Sequence, residues 1–215
     1  MPNWCECDLY VSGPRKSVDT FMARAAKTEE GKTSPFQIAS FLPIPKCLVD
    51  VEAGSSEYLH EALYGDLAAA RSRLAGWGYE VTTAEEAFAR TAEHFGLPRE
   101  EALAKANLYE KNIRETGHKT WYSWCVANWG TKWDASDVSV GSKLDGPRTS
   151  EVTIHFQTPW GPPSEGMVRV SEMFPDLTFR LEYFECGMAF QGVQVIEGGE
   201  VVEFESSDYD GDRGG

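Results

Sequence analysis

Trp4-Cys5-Glu6-Cys7-Asp8-Leu9-Tyr10-Val11 alternates strictly, with Cys5, Cys7, Leu9 and Val11 on one side of an extended backbone and Trp4, Glu6, Asp8 and Tyr10 on the other. Such a segment is a strand with one apolar face to bury and one polar face to show. Ser12-Gly13-Pro14 ends it, and Val18, Phe21, Met22 and Ala25 then recur at helical spacing behind a proline suited to a first turn. Phe36, Ile38 and Ser40 next alternate with Gln37, Ala39 and Phe41 up to Pro43-Ile44-Pro45, which predicts a second strand.

Residues 48–128 change character. Alanine-, glutamate- and arginine-rich stretches at 56–75, 83–95 and 99–115 have high helix propensity, and Pro98 starts the third. Trp121, Trp124, Cys125 and Trp129 then fall on one helical stripe that Gly130 can stop. Beyond it Val152, Ile154 and Phe156 alternate as a strand. Pro159-Trp160-Gly161-Pro162-Pro163 makes a stiff turn into a helix carrying Met167, Val170 and Phe174, which Pro175 stops. Leu177, Phe179, Leu181 and Tyr183 mark another strand, and segments 189–196 and 200–205 flank Gly198-Gly199 as a hairpin. The order is βαβ, a helical insertion, then βαβ and a hairpin. It predicts an α+β fold, a ferredoxin-like split βαβ antiparallel sheet with a long helical insertion and a C-terminal β-hairpin. Residues 1–205 are read as one domain with the insertion at about 48–128, and residues 206–215 as a disordered acidic tail.

With 215 residues, 41% of them hydrophobic and 25% charged, the chain can bury a core without disulfides or a structural metal. The net charge of −14 argues against nucleic acid and anionic membranes as partners, and residues 151–215 alone hold 13 acids against 3 bases. Cys5, Cys7, Cys47, Cys125 and Cys186 are odd in number and scattered, the pattern of reduced, packed thiols, and Cys5-x-Cys7 lacks a second pair to complete a metal site. The chain shows neither a basic leader nor an apolar run near the roughly 18 residues a membrane span needs, so a cytoplasmic protein is expected. No cofactor is expected.

Several motifs together resemble the YubB-like family of plasmids, phages and bacterial genomes: Met1-Pro2-Asn3-Trp4-Cys5, Phe41-Leu42-Pro43-Ile44-Pro45, Trp121-Tyr122-Ser123-Trp124, Asn128-Trp129-Gly130-Thr131-Lys132-Trp133-Asp134 and Thr158-Pro159-Trp160-Gly161-Pro162-Pro163. The resemblance implies a ferredoxin-like domain and a mobile-element setting, and carries no catalytic residues or substrate.

In the ferredoxin-like order the first strand lies between the third and fourth, so one open face should gather Trp4, Glu6, Asp8 and Tyr10, then Thr153, His155 and Gln157, then Arg180, Glu182 and Phe184. Glu6, Asp8, His155 and Glu182 offer oxygen and nitrogen donors for a divalent metal, or an acid/base pair. Pairing of Arg180 with the acids would make the face an ordinary ion-pair network. The aromatics of this face could stack bases, but the carboxylates would meet phosphates. A second candidate surface is the aromatic patch of Trp124, Asn128, Trp129, Lys132, Trp133 and Trp160, with Arg180 on the sheet, unless these indoles are core. His60, His94 and His118 lack ligand-like spacing and are expected at the surface. The leading expectation is a non-enzymatic protein-binding module presenting acids to a protein partner, in one version as a DNA mimic. The alternative is a metal-dependent, hydrolase-like enzyme using Glu6, Asp8, His155 and Glu182.

Overall fold

β1 (Trp4–Pro14) keeps the alternation of its sequence: Cys5, Cys7, Leu9 and Val11 are buried, and the residues between them are partly or fully exposed. The computed structural model describes residues 3–29 and 31–211. One unit comprises residues 1–43 and 125–215, and a second comprises 44–124.

In the first unit β1 leads into α1 (Arg15–Ala25), which buries Val18, Phe21 and Ala25. Two short strands follow, β2 (Lys27–Glu29) and β3 (Lys32–Ser34), paired only with each other. The strand expected at 36–42 is not formed. Ile38–Ser40 is a single 3-10 turn, because the Asp134 carboxylate accepts from the consecutive N–H groups of Ile38 (2.7 Å) and Ala39 (2.9 Å). Two neighbouring donors aimed at one carboxylate cannot alternate outward to a ladder. Phe36 and Ile38 are still fully buried, so the apolar pattern is real although the secondary structure differs.

The second unit holds α2 (Ser55–Tyr64), α3 (Leu67–Gly76), α4 (Ala84–His94) and α5 (Arg99–Thr116). The helical stretch expected at 56–75 is broken at Gly65, after which Asp66 caps α3 by accepting from the Ala68 N–H at 2.8 Å. Thr83 and Glu86 form a capping box at α4. Leu59, Leu74, Ala87, Phe88, Ala102 and Ala106 belong to this unit's own core. His60 is buried rather than on the surface, with Nε2 3.0 Å from Glu110 Oε2. His94 stacks on Trp77 with ring centroids 3.9 Å apart.

After α6 (Trp121–Trp129) come β4 (Ser136–Asp145), β5 (Thr149–Pro159), α7 (Ser164–Glu172), β6 (Thr178–Glu185), β7 (Phe190–Glu197) and β8 (Glu200–Asp208). The sheet order is β4-β5-β1-β6-β7-β8, every neighbouring pair antiparallel. The core arrangement β4-β5-β1-β6 is ferredoxin-like, with β1 between the third and fourth core strands as expected. Its second strand, however, is β4, so the helical insertion precedes that strand instead of following it. β8 runs to Asp208, so residues 206–208 belong to the sheet, whereas 212–215 of the expected tail lie outside the described residues. Gly198 and Gly199, at φ 55° and 91°, make the β7–β8 turn that only positive φ allows.

α1 and α7 pack on one face of the sheet. Between helices and sheet lies an aromatic core in which Phe21 stacks on Phe41 (5.3 Å) and meets Phe174 (5.6 Å) and Phe179 (5.5 Å) edge-on. All five cysteines are free, and burial pushes the Cys125 thiol up to about 12. Among the described residues no helix is long and apolar enough to cross a membrane.

Candidate functional site

Asp8 sits in register between His155 of β5 and Glu182 of β6, and the Asp8 carboxylate and His155 Nδ1 lie 2.5 Å apart. Both side chains are nearly half exposed, at 45% and 46%. One pair along, Glu6 lies between Gln157 and Phe184 and accepts from Gln157 Nε2 at 2.8 Å. One pair the other way, Tyr10 lies between Thr153 and Arg180, whose Nε donates to Glu182 at 2.8 Å. The alternation of three strands therefore brings Glu6, Asp8, His155, Arg180 and Glu182 onto one face. The Tyr10 hydroxyl is pushed above its ordinary pKa by burial and then by the negative charge of Glu182 and Asp8, with Arg180 opposing.

The register also extends this face beyond the expected residues. Glu182 pairs with Val193 of β7, which pairs with Glu205 of β8. A depression of about 910 Å³ lies over β1, β6, β7 and β8, and Glu6, Asp8, Glu182 and Glu205 line it around Phe184 and Val193. Among the described residues its lining contains no lysine or arginine. Among the described residues no group of three or more His, Cys, Asp or Glu side chains is arranged to hold a metal ion. Asp8 is engaged with His155, Glu182 with Arg180 and Glu6 with Gln157, so only two of the four expected ligands meet each other.

The aromatic patch divides into a buried and an exposed part. Trp129 is buried, its Nε1 donating to the Leu42 carbonyl at 3.0 Å, and Asn128 is buried beside it in sequence. Thr131 donates to the Trp133 and Pro159 carbonyls, and Trp160 N–H donates to the Asn3 carbonyl at 2.9 Å. Gly130 has φ 80°, and the place of its missing Cβ is taken by the Glu165 carboxylate at the start of α7. Four of the five motifs quoted from the sequence thus bond to one another, which gives those four a structural reason to occur together. Trp124 is half-buried in the helical unit.

Trp4, Trp133 and Trp160 are 37%, 40% and 53% exposed, with the Trp4 and Trp133 rings 6.4 Å apart and the Lys132 ammonium 4.5 Å from the Trp133 ring. Trp160 holds φ 71°, a conformation that side chains other than glycine adopt only at a cost. Trp160→Gly should therefore raise stability by about 1 kcal/mol through release of this strain. Urea unfolding measures it, and a loss of stability would assign the indole to packing.

Residues 128–214 match the family model of the ferredoxin-like domain in Api92-like protein. That span holds β4 to β8 with α7, and β1, from the other end of the chain, completes the sheet. The match corrects the YubB-like resemblance in its family name and agrees with it on the ferredoxin-like domain. The chain is also similar to the crystal structure of a protein api92 from Yersinia pseudotuberculosis, at 13% identity and a TM-score of 0.48, covering 98% of this chain and 99% of that one. Comparison with curated proteins gives no match.

Two residues escape sequence reasoning. Asp134 accepts from the N–H groups of Ile38, Ala39 and Ala135, and burial raises its carboxyl above the ordinary value against the pull of those donors and of Lys27. Its position at the end of the Asn128–Asp134 motif was the only signal. Glu205 reaches the acidic face through a pairing across β7, and alternation within β8 would have shown its side only once the hairpin register was known.

Proposed function

We propose that the protein is a non-enzymatic binding module whose acidic sheet face takes a cationic surface of a partner protein. The supporting observation is the depression in which four carboxylates surround Phe184 and Val193 with no cation among the described residues of the lining. Carboxylates at such a face steer and orient a basic partner, and the apolar centre supplies area to bury. A partner that normally grips phosphates would make the face a DNA mimic.

A fluorescein-labelled oligo-arginine peptide tests the reading by anisotropy. Binding should weaken steadily with salt, and the double variant Glu6→Gln, Glu182→Gln should lose about tenfold in affinity at low salt. Affinity indifferent to ionic strength would count against it. In the mimic version, the protein should displace duplex DNA from a basic DNA-binding protein.

The Asp8–His155 hydrogen bond favours a second reading, an enzyme of hydrolase type using Glu6, Asp8, His155 and Glu182. Calorimetric uptake of Mn²⁺, Mg²⁺ or Zn²⁺ that disappears in Asp8→Ala and in His155→Ala would support this reading over the first.

A further inference from the structure

We propose that the outer edge of β8 receives an extended basic segment of the partner, which joins the sheet as an additional antiparallel strand. This inference rests on the reading of the acidic face as a site for a cationic protein, and it specifies how that protein is held.

The two outer strands differ. β4 meets β5 with two register shifts, irregularities that twist an edge away from further pairing. β8 pairs with β7 without interruption from Glu203 to Asp208, its one irregularity lying near the turn, and all nine of its residues are exposed. Among the described residues no strand covers its other side. A regular edge of this kind offers unpaired N–H and C=O groups to an incoming chain.

Charge selects the occupant. β8 reads Glu200-Val201-Val202-Glu203-Phe204-Glu205-Ser206-Ser207-Asp208, with four acids and no base. A second copy adding through the same edge would bring these acids against each other, which is unfavourable across a strand pair. A strand bearing lysine or arginine would gain where the copy loses.

The two sides of β8 specify the alternation of the segment. Glu203 and Glu205 are in register with Val195 and Val193, the side that continues the acidic face, so basic residues belong there. On the other side Phe204 is in register with Gln194, and Val201 with Ile196. Phe204 and Val201 line a groove of about 530 Å³ with Val168 of α7. Phe204 and Val201 are 59% and 45% exposed, an apolar surface that a covering side chain would remove from water. The segment is therefore expected to alternate basic residues with apolar ones.

The test uses the full chain and a fluorescein-labelled peptide of alternating arginine and valine in three forms: unmodified, N-methylated at every arginine, and N-methylated at every valine. In a strand, alternate N–H groups point to opposite lateral sides, so an added strand is blocked by methylation of one set and spared by methylation of the other. One methylated form should lose at least about tenfold in affinity while the other stays within about twofold of the unmodified peptide. Glu203→Lys with Glu205→Lys should weaken the unmodified peptide more than Glu6→Gln with Glu182→Gln does. Equal behaviour of the two methylated forms, with salt-sensitive binding retained, would overturn strand addition and leave the acidic-face reading standing. Absence of salt-sensitive binding by any form would overturn both.

Discussion

Asp134→Ala is expected to cost about 3 kcal/mol of folding stability, measured by urea unfolding near neutral pH. Its carboxylate accepts three backbone N–H groups, from Ile38 (2.7 Å), Ala39 (2.9 Å) and Ala135 (2.7 Å), and so holds the 3-10 turn against the segment that leads into β4. Alanine would leave Ile38 and Ala39, at the edge of the aromatic core, to find other acceptors. Asp134→Asn keeps one carbonyl oxygen and should lose about half as much. The pH dependence separates two forces on the same group. Burial raises the Asp134 pKa above its ordinary 3.8, and the three N–H groups and Lys27 pull it down without overcoming burial. The contribution tied to this shift is fully present below pH 3.8 and is lost as pH rises through the raised value. The stability gap between the wild type and Asp134→Asn, which does not titrate at this position, should therefore narrow as pH rises from about 4 towards neutrality. A gap that widens would show that the N–H groups dominate and hold the ionised form.

What the sequence revealed and what it hid follow from which contacts are local. β1 was legible because its alternation survives folding unchanged, and that alternation, with those of β5 and β6 and the ferredoxin-like strand order, placed Glu6 and Asp8 on the same face as His155 and Glu182. β4 was illegible because most of its residues are exposed and its pairing is interrupted, so Ser136–Asp145 has neither an apolar period nor a regular register to display. Phe36 and Ile38 alternate as a strand would, and both are buried, but the partner that turns their backbone away from a ladder is Asp134, distant in sequence. His60 sits in a polar-looking stretch, and its burial depends on the approach of Glu110 from α5. The acidic site was half visible for the same reason. Its β1 and β6 acids follow from alternation, whereas Glu205 joins only through the β7–β8 register.

Phe21→Ala should lower stability by about 4 kcal/mol, the largest effect expected of any single side chain considered, while leaving the acidic face able to bind. Phe21 is fully buried, stacked on Phe41, met edge-on by Phe174 and Phe179 and flanked by Phe36, so its removal leaves a ring-sized void bordered by four aromatic side chains. Phe21→Leu fills most of that void and should cost no more than about 1.5 kcal/mol. Phe179 points to the helices, and its neighbour Arg180 points to the other side of the sheet and pairs with Glu182. Core and site are thus on opposite sides of one strand, and a void beneath Phe179 removes no charge from the face above it. Under conditions where both variants are folded, the oligo-arginine peptide should bind Phe21→Leu and Phe21→Ala within about twofold of wild type. Glu6→Gln with Glu182→Gln should show the reverse, weakened binding with stability changed by less than about 0.5 kcal/mol per site. Loss of peptide affinity in Phe21→Leu, with its fold intact, would mean that the face depends on the packing beneath it, and the separation of the two sides of the sheet would fail.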